Sequence, residues 1–514
     1  MHRERGSRTL KLNQRRRELL KALGLAGLGF GLGMLVERAI AHPQIEKYYL
    51  HKYSGVQPYS YMIFKEGDTY YAKNGKTGEI KFEDDDASEV IQSAIDSLPE
   101  EGGKIFIKKG VYDINSTIRA EKAFLVIEGE GTWDRHSSWE LTNAPQRYMG
   151  TMLVSMKDGL TIFDLGWEAD APMRVIMERL TFIPANYNYQ PNTTAIYLRG
   201  KVRHSVFRML WFDSMKYGIL EDDSEGYLQD VWFEKLTSEH TDTLLYLTGG
   251  YNIRLLNSYC GWQESDTYVV SMRSISGKIV SVFVDNLWLL GSNPPHTTSY
   301  RGLLIEGGDK SVINNVIANN PFEGIVIAVV HKNTSMNNIV INGSLESSTG
   351  AILIDAEYAT LSNIIIRTPT IDSTVYRPRY GIYIRGSTYP SGKILARNIF
   401  IEDYTVDIFY VPSGVMLQKN GVIAKNLLTE NSGTVTITGD GTTTTFTVDI
   451  EHGLVKDKVA CKITLDRDGS IDKVYLVDTE PDGFYETIRV VVTYASAPAS
   501  GEEVPIYWSA EVVE

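Results

Sequence analysis

Short apolar strands recur along the middle of the chain, each introduced by a glycine or an asparagine. Runs of three to five aliphatic residues bounded by turn residues predict buried β-strands. The glycine-led strands cover residues 218–220, 302–305, 324–327, 350–354 and 381–384, and the asparagine-led strands begin at Asn286, Asn315, Asn338, Asn363, Asn398 and Asn426.

The asparagine-led strands follow one another at nearly regular intervals along the chain. An imperfect period of roughly 20–50 residues is that of one coil of a β-solenoid with loops of variable length. Equivalent side chains on successive coils then stack about 4.8 Å apart. We therefore expect a buried asparagine ladder, in which each side chain hydrogen-bonds to its neighbours on the coils above and below.

A different pattern precedes the repeats. Residues 45–80 alternate apolar and polar positions around an Asn74-Gly75 turn signal, which predicts a hairpin or short strands. Residues 87–98 place apolar side chains at helical spacing, and Asp86 is positioned to cap that helix. Residues 104–107 are expected to form the first strand of the repeat region.

The segment that leads from this helix into the repeats contains Asp-Asp-Ala-Ser at 85–88, Ile-Gln-Ser-Ala-Ile-Asp at 91–96, Gly-Gly-Lys-Ile-Phe-Ile at 102–107 and Gly-Val-Tyr at 110–112. In these residues it resembles the entry of pectate-lyase-superfamily (pectin lyase superfamily) proteins. In that superfamily an amphipathic helix covers the apolar cross-section and strand edges at the end of a right-handed parallel β-helix. The resemblance implies an all-β fold, with such a β-helix at 84–429 and an N-terminal capping helix.

Near residue 430 the pattern changes to period-two alternation. Residues 430–514 are therefore predicted to form an antiparallel β-sandwich. The order of Gly439-Asp440-Gly441, a Thr-rich strand, His452-Gly453-Leu454 and Ile506-Tyr507-Trp508 is similar to small C-terminal modules of phage and archaeal surface proteins. This likeness leaves sugar binding, oligomerisation and anchoring open.

Residues 1–41 have the composition of an export signal. Arg16-Arg17 and the Leu-Leu-Lys sequence at 19–21 precede a mildly apolar run and a small-x-small sequence at 39–41. They resemble a twin-arginine signal, which implies a prokaryotic, secreted or cell-surface protein whose mature chain begins near His42 with strands at 42–83. A retained membrane-anchoring helix is the alternative, and five glycines in residues 22–36 weaken it.

Charge and composition narrow the class of partner. The net charge is −13, and residues 1–41 hold nine Lys/Arg against three Asp/Glu, which leaves −19 on the remainder. This acidic balance argues against nucleic acid as the main partner, because phosphate binding requires a cationic face. Two cysteines in different predicted domains exclude a disulfide framework, and no zinc signature is present. The 30 tyrosines and eight tryptophans suit packing and sugar stacking, so a linear polysaccharide is the expected partner.

Polar residues before the glycine-type strands form a candidate catalytic column. His240 and Asp242 align with Glu264 and Asp266 one expected coil later, so the two aspartates are expected to be vertical neighbours. The next two coils place Arg301 and Glu323 in the same column. The predicted catalytic residues are Asp242, Asp266, Arg301, Glu264 and His240, and the predicted substrate-binding residues are Glu239, Trp262, Glu323, His296 and Tyr300.

Thr241-Asp242 and Ser265-Asp266 resemble the motifs of the polygalacturonase family, which implies paired carboxylates that cleave a glycosidic bond. The chain departs from that family because His240 replaces the motif's asparagine and neither Gly-His-Gly nor Arg-Ile-Lys follows. A polygalacturonase is therefore not predicted.

Three chemistries stay open for this column. A hydrolase uses two carboxyl groups, a lyase holds Ca²⁺ on Asp242, Asp266 and Glu264 while Arg301 removes an α-proton, and a binding groove only hydrogen-bonds the sugar. The leading hypothesis is an extracellular glycoside hydrolase or polysaccharide lyase. The alternatives are a non-catalytic surface or adhesion protein and a virion spike-like receptor-binding protein that trimerises through its C-terminal domain. The export signal argues against the spike.

Overall fold

The computed structural model describes residues 59–132, 150–167, 173–185, 189–222, 226–261, 268–274, 281–290, 301–323, 325–345, 350–367, 370–371, 374–375, 380–402, 407–411, 415–425, 430–451, 459–466, 468–477 and 487–512. These residues all belong to one compact unit, Tyr59–Glu514, and the other unit is Met1–Pro58. The predicted export signal lies outside the described residues.

The N-terminal elements are β1 (Tyr61–Glu66), β2 (Thr69–Asn74), β3 (Ile80–Asp84) and α1 (Ala87–Asp96). They are followed by β4 (Gly103–Ile107), β5 (Gly110–Ile114), β6 (Ile118–Ala120), β7 (Phe124–Gly129), β8 (Thr151–Ser155), β9 (Thr161–Trp167), β10 (Arg174–Pro184), β11 (Gln190–Arg203), β12 (Val206–Asp213), β13 (Met215–Glu221), β14 (Tyr227–Gln229), β15 (Trp232–Glu239), β16 (Thr243–Leu247), β17 (Gly250–Tyr251), β18 (Ile253–Gly261), β19 (Tyr268–Arg273), β20 (Ser281–Leu290), β21 (Arg301–Glu306), β22 (Lys310–Glu323), β23 (Ile327–Val330), β24 (Asn333–Leu345), β25 (Gly350–Asp355), β26 (Tyr358–Arg367), β27 (Thr370–Ile371), β28 (Thr374–Val375), β29 (Tyr380–Ile384), β30 (Lys393–Glu402), β31 (Asp407–Tyr410) and β32 (Met416–Lys425). The C-terminal strands are β33 (Glu430–Thr438), β34 (Thr445–Glu451), β35 (Val459–Leu465), β36 (Gly469–Val477), β37 (Thr487–Tyr494) and β38 (Glu503–Val512).

Two parallel sheets carry the coils of the solenoid. In the first, here called sheet A, β7, β10, β12, β15, β18, β20, β22, β24, β26, β30 and β32 pair side by side in that order. In sheet B the order is β6, β9, β11, β13, β16, β19, β21, β23, β25, β29 and β31. The predicted fold class, an all-β right-handed parallel β-helix, is confirmed.

The interior of the solenoid consists of stacked apolar side chains. In sheet B one inward column is aliphatic on every coil from Ile219 to Ile382, and its members are fully buried. In sheet A the rings of Phe182 and Phe212 stack at 5.3 Å between centroids. Because identical positions repeat on each coil, burial of these columns selects the register of the whole stack.

The helix at the N-terminal end forms as predicted. Asp86 caps α1 by accepting a hydrogen bond from the Ser88 N–H at 2.8 Å. Its apolar face, which includes Ile91 and Ile95, is buried in the same core as the first coils. β1, β2 and β3 form an antiparallel ribbon that joins sheet A through the parallel pair β1–β4. Among the residues described, no helix has the length and apolarity needed to span a membrane.

The asparagine ladder exists, but it lies on the outside of the solenoid. Asn286, Asn315, Asn338, Asn363 and Asn398 sit in the middle of long sheet A strands with φ between 50° and 56°. Their side chains are exposed, and the Asn338 amide donates to Asn315 Oδ1 at 3.1 Å. The prediction of a buried ladder at the start of each strand is therefore wrong: asparagine is used here because it tolerates the left-handed conformation that bends the strand. Asn426 lies outside the described residues.

Two substitutions at Asn338 are expected to distinguish the destabilisation caused by backbone strain from that caused by lost hydrogen bonds. Asn338→Ala loses two ladder bonds, to Asn315 and from Asn363 at 3.2 Å, and places a Cβ without a polar group at φ 56°. We expect it to destabilise the protein by about 1–2 kcal/mol. Asn338→Gly loses the same bonds without the strain and is expected to cost less. Urea denaturation measures both, and equal losses would contradict this explanation.

Two three-stranded antiparallel sheets, β33-β38-β35 and β34-β37-β36, form the C-terminal sandwich. Their inner faces bury Ile488, Val490, Val492 and Ile506 in a core of their own. The predicted antiparallel sandwich is confirmed as part of the fold class, whereas the exact domain boundaries stay predictions.

Candidate functional site

Two consecutive coils pass from sheet A to sheet B through a residue with positive φ. β12 ends at Asp213 and β15 ends at Glu239, and these residues are register partners. Ser214 and His240 follow them with φ of 56° and 48°. The Ser214 N–H donates to the Glu239 carbonyl at 3.0 Å. The corners are therefore stacked, and side chains one coil apart in sequence meet there.

Asp213, Glu239 and His240 form what we call the carboxylate–histidine cluster. One oxygen of each carboxylate and one ring nitrogen of His240 lie within 4.8 Å of one another. His240 Nδ1 is 3.3 Å from Asp213 Oδ1, which also accepts a hydrogen bond from the Ser214 hydroxyl at 2.8 Å. Asp213 is 1% and Glu239 6% exposed, whereas the His240 side chain is 24% exposed. Of these three side chains, the imidazole is the one most open to solvent.

Asp242 lies in the same turn, two residues beyond His240, and is buried. The Tyr189 hydroxyl donates a hydrogen bond to Asp242 Oδ2. Burial chiefly, with the Asp242 charge among the smaller causes, raises the pKa of Tyr217. The Tyr217 phenol therefore stays protonated in the neutral pH range.

An aromatic column stands beside the cluster. Trp211, Thr237, Tyr259 and Trp288 are register partners on four successive coils. They share a face of sheet A with Asp213 and Glu239, because residues two apart in a strand point the same way. Trp211 is nearly buried, whereas Trp288 is 48% exposed. Trp288, two coils after Glu239, therefore offers an exposed flat ring of the kind on which sugars stack.

Tyr259 occupies space that a glycine leaves open. Gly261 lies one coil after Glu239, because Cys260, which precedes Gly261, pairs with Ser238, which precedes Glu239. A Cβ at position 261 would lie 2.8 Å from the Tyr259 hydroxyl. Burial, followed by the charges of Glu239 and Cys260, raises the pKa of Tyr259 to about 12. The phenol therefore stays protonated near Glu239.

Three of the predicted site residues meet in this turn: Glu239, His240 and Asp242. Arg301 does not join them in one column, because it pairs with Tyr268 and its guanidinium lies 5.5 Å from that ring. The Thr243 hydroxyl donates to the Tyr268 carbonyl at 3.0 Å, so Arg301 stands in the column that follows Asp242 in sequence.

The predicted alignment of these coils is wrong by one position. An alignment of Asp242 with Asp266 places Leu245 beside Val269, whereas the structure pairs Leu245 with Val270, and such a slip reverses the face on which a side chain lies. Glu323 was expected in the same column, but it ends a sheet A strand and pairs with Leu345. The loops between coils differ in length, and spacing alone did not reveal these offsets. The predicted site residues that lie outside the described residues are Trp262, Glu264, Asp266, His296 and Tyr300.

Sequence reasoning missed Asp213, Tyr189 and Tyr259. A signal for Asp213 existed, since Trp-Phe-Asp at 211–213 and Thr-Ser-Glu at 237–239 each end a strand in a carboxylate one coil apart. Tyr189 had no such signal, because its contact with Asp242 spans 53 residues.

The cluster also has the composition of a metal-ligand set. Two carboxylate oxygens and one imidazole nitrogen suit Zn²⁺ or Mn²⁺. Ca²⁺ prefers six to eight oxygen ligands. Of the calcium set expected from the sequence, the structure describes only Asp242.

No family model matches the chain, and no curated protein matches it. Solved structures that resemble it are ORF18 of Geobacillus virus E2, with 12% identity, a TM-score of 0.43 and coverage of 86% of this chain and 83% of that chain, and tailspike gp61 of Pseudomonas phage phi297, with 12% identity, a TM-score of 0.33 and coverage of 82% and 92%. The Acinetobacter phage vB_ApiP_P1 tailspike has 9% identity, a TM-score of 0.37 and coverage of 83% and 84%. At TM-scores below 0.5 these likenesses carry no functional argument, so function is argued from the site.

Proposed function

We propose that the protein hydrolyses glycosidic bonds in a linear polysaccharide at the carboxylate–histidine cluster. The observation that supports this is the pairing of Asp213 and Glu239, two buried carboxylates on adjacent coils with oxygens within 4.8 Å. A pair of carboxyl groups is the catalytic machinery of most glycosidases, and here the pair lies beside a surface on which sugars can stack.

We assign a retaining mechanism to this pair, in which one oxygen of each carboxylate lies within 4.8 Å of the other. Inverting enzymes leave room for water between carboxyl groups about 6.5–9.5 Å apart, whereas retaining enzymes hold them about 5–5.5 Å apart. In the proposed reaction Glu239 protonates the leaving oxygen, and an Asp213 oxygen bonds to the anomeric carbon as the glycosidic bond breaks. Water, deprotonated by Glu239, then releases the sugar and regenerates Asp213. His240, the most exposed of the three side chains, contacts the arriving sugar in this proposal.

The charge of the site favours a neutral sugar at the point of cleavage. Asp213, Glu239 and Asp242 lie within one pair of stacked turns and are buried, so water screens them poorly. A uronic acid would bring a fourth carboxylate into this region. Repulsion between like charges therefore selects against acidic units at the cleavage position.

The decisive experiment is a polysaccharide screen with the full-length protein. Wild-type protein and an Asp213→Asn/Glu239→Gln double variant are incubated with neutral and uronic-acid polysaccharides, and new reducing ends are measured. We expect cleavage of at least one neutral or mixed glycan by the wild type alone. Binding to glycans without cleavage of any of them would replace this proposal with a non-catalytic binding protein.

A metal-dependent lyase is the second candidate, because the same three side chains form a metal-ligand set. A bound cation would reverse the local charge and favour an acidic sugar. The products would then carry an unsaturated bond that absorbs ultraviolet light, and a chelator would abolish their release. Calcium binding by Asp242, Asp266 and Glu264 stays a proposal. It is tested by removing metal with a chelator and measuring which added divalent cation restores activity.

Export through the N-terminal segment, a cell-surface location and trimerisation through the C-terminal sandwich also stay proposals. Light scattering on the purified full-length chain measures the oligomeric state directly. A monomer would contradict the trimer.

A further inference from the structure

We propose that a second surface, on the first half of the later sheet A strands, binds a polysaccharide that carries carboxylate groups. This surface, here called the lysine–tyrosine groove, spans β22, β24, β26, β30 and β32, and it stands apart from the proposed hydrolytic site. Its lining includes Lys310, Ser335, Tyr358, Thr360, Lys393 and Gln418.

The register of sheet A produces the groove. One outward column runs Lys310, Asn333, Tyr358, Lys393 and Met416, coil by coil. A parallel column two residues on presents side chains from Val312 to Gln418. The residues between the two columns point into the core, so the outer pair forms a continuous track across five coils.

The size and direction of this track suit a polymer. The groove is open to solvent and has a volume of about 420 Å³, which is within the range of small-ligand sites, about 300–1,000 Å³. Four coil spacings of about 4.8 Å each give it a length of roughly 19 Å. A chain laid along the solenoid axis therefore meets the same column position once per coil.

Tyr358 is the sugar-stacking element. It is 47% exposed in the centre of the track, and the Lys393 Nζ lies 5.8 Å from its ring centroid. An exposed tyrosine ring in a groove is flat and apolar, and its hydroxyl stays hydrated. Hydroxyl and amide groups of Ser335, Thr360 and Gln418 line the adjacent column.

Charge decides between neutral and anionic ligands here. The lining contains Lys310 and Lys393 and no aspartate or glutamate, although the chain as a whole carries −13. The hydrolytic site has the opposite composition, with three carboxylates. A mixed polysaccharide of neutral and uronic-acid units would satisfy both surfaces. Lysines act as point charges with no geometric preference between carboxylate and phosphate; we assign carboxylates because the proposed ligand is a polysaccharide, and polyphosphate is the competing ligand in the test below.

The test measures binding of polygalacturonate to the full-length protein by calorimetry at low salt. Tyr358→Ala is expected to weaken binding about tenfold. Lys310→Gln/Lys393→Gln is expected to weaken it about fivefold and to reduce its salt dependence. The matched control is Lys109→Gln/Lys157→Gln, which removes two exposed lysines elsewhere and lowers the net charge equally. Unchanged melting temperatures would show that the variants fold.

Three results would overturn the inference. They are equal losses for the two lysine pairs, equal affinity for a neutral glucan or for inorganic polyphosphate, and a change in oligomeric state caused by Tyr358→Ala, which would identify the groove as a contact between copies of the chain. The titration compares only groove variants that keep Asp213 and Glu239, and it measures binding without any cleavage, so failure of the hydrolytic proposal is distinguishable from failure of this one.

Discussion

Glu239→Gln is expected to lower kcat on the cleaved polysaccharide by about 10²–10⁴-fold, the contribution of a general acid–base group. The glutamine fills the same space beside Asp213 but neither gives nor takes a proton. Because Glu239 is buried and its carbonyl accepts a hydrogen bond from the corner of the preceding coil, folding must be checked by circular dichroism and melting temperature. KM should change little, since the aromatic column that holds the sugar is untouched.

Matched controls are present in the same coils. Glu234→Gln makes the same substitution in the same strand, β15, on the other side of the bend at Lys235, which has φ 53°. Asp230→Asn disrupts a second aspartate–histidine pair, in which His204 Nδ1 lies 3.3 Å from Asp230 Oδ2, the same distance as in the His240–Asp213 pair. Both controls should retain full activity. If they lose as much activity as Glu239→Gln, the cluster has no special role.

Asp355→Ala is expected to destabilise the solenoid by about 3 kcal/mol. Asp355 ends β25 and is fully buried. Its carboxylate accepts hydrogen bonds from Arg385 Nε at 3.1 Å, the Ser387 hydroxyl at 2.9 Å, the Thr388 N–H at 2.9 Å and the Tyr389 N–H at 3.0 Å. This one side chain therefore ties the turn after β29 to the coil before it. Because the donors are partly exposed, water recovers some of the loss in the variant.

The same carboxylate predicts a pH dependence of stability. Its hydrogen bonds hold the pKa of Asp355 below the ordinary value of 3.8, against the opposing effect of burial. A lowered pKa means that the stabilisation is complete above the ordinary value and is lost as the pH falls through the folded-state value. Asp355→Asn should therefore flatten the decline of the melting temperature below pH 4. Asp309→Ala, which removes an exposed aspartate, is the control, and an equally flat profile for it would contradict this account.

Local pattern was enough for the elements and the fold class. Asp86, the apolar face of 87–98 and the turn at Asn74-Gly75 act over a few residues, so their outcome is readable from the chain. The recurrence of short strands at an imperfect period of about one coil predicted a solenoid. The asparagine ladder that includes Asn338 was predicted from the sequence, but the exposure of its side chains was not. The sequence pattern does not show on which side of a bend a polar residue lies.

The sequence by itself determined that this protein coils, where its capping helix begins and that Glu239, His240 and Asp242 share one turn. Only the tertiary structure decided which residues of neighbouring coils meet: Asp213 with Glu239, Arg301 with Tyr268, and Lys310 in line with Tyr358 and Lys393. The physical reason is that coil length varies from one turn to the next. The register between neighbouring coils is then fixed by the total burial of the inward side chains over the whole stack. A rule based on the spacing of a few residues in sequence does not include that total.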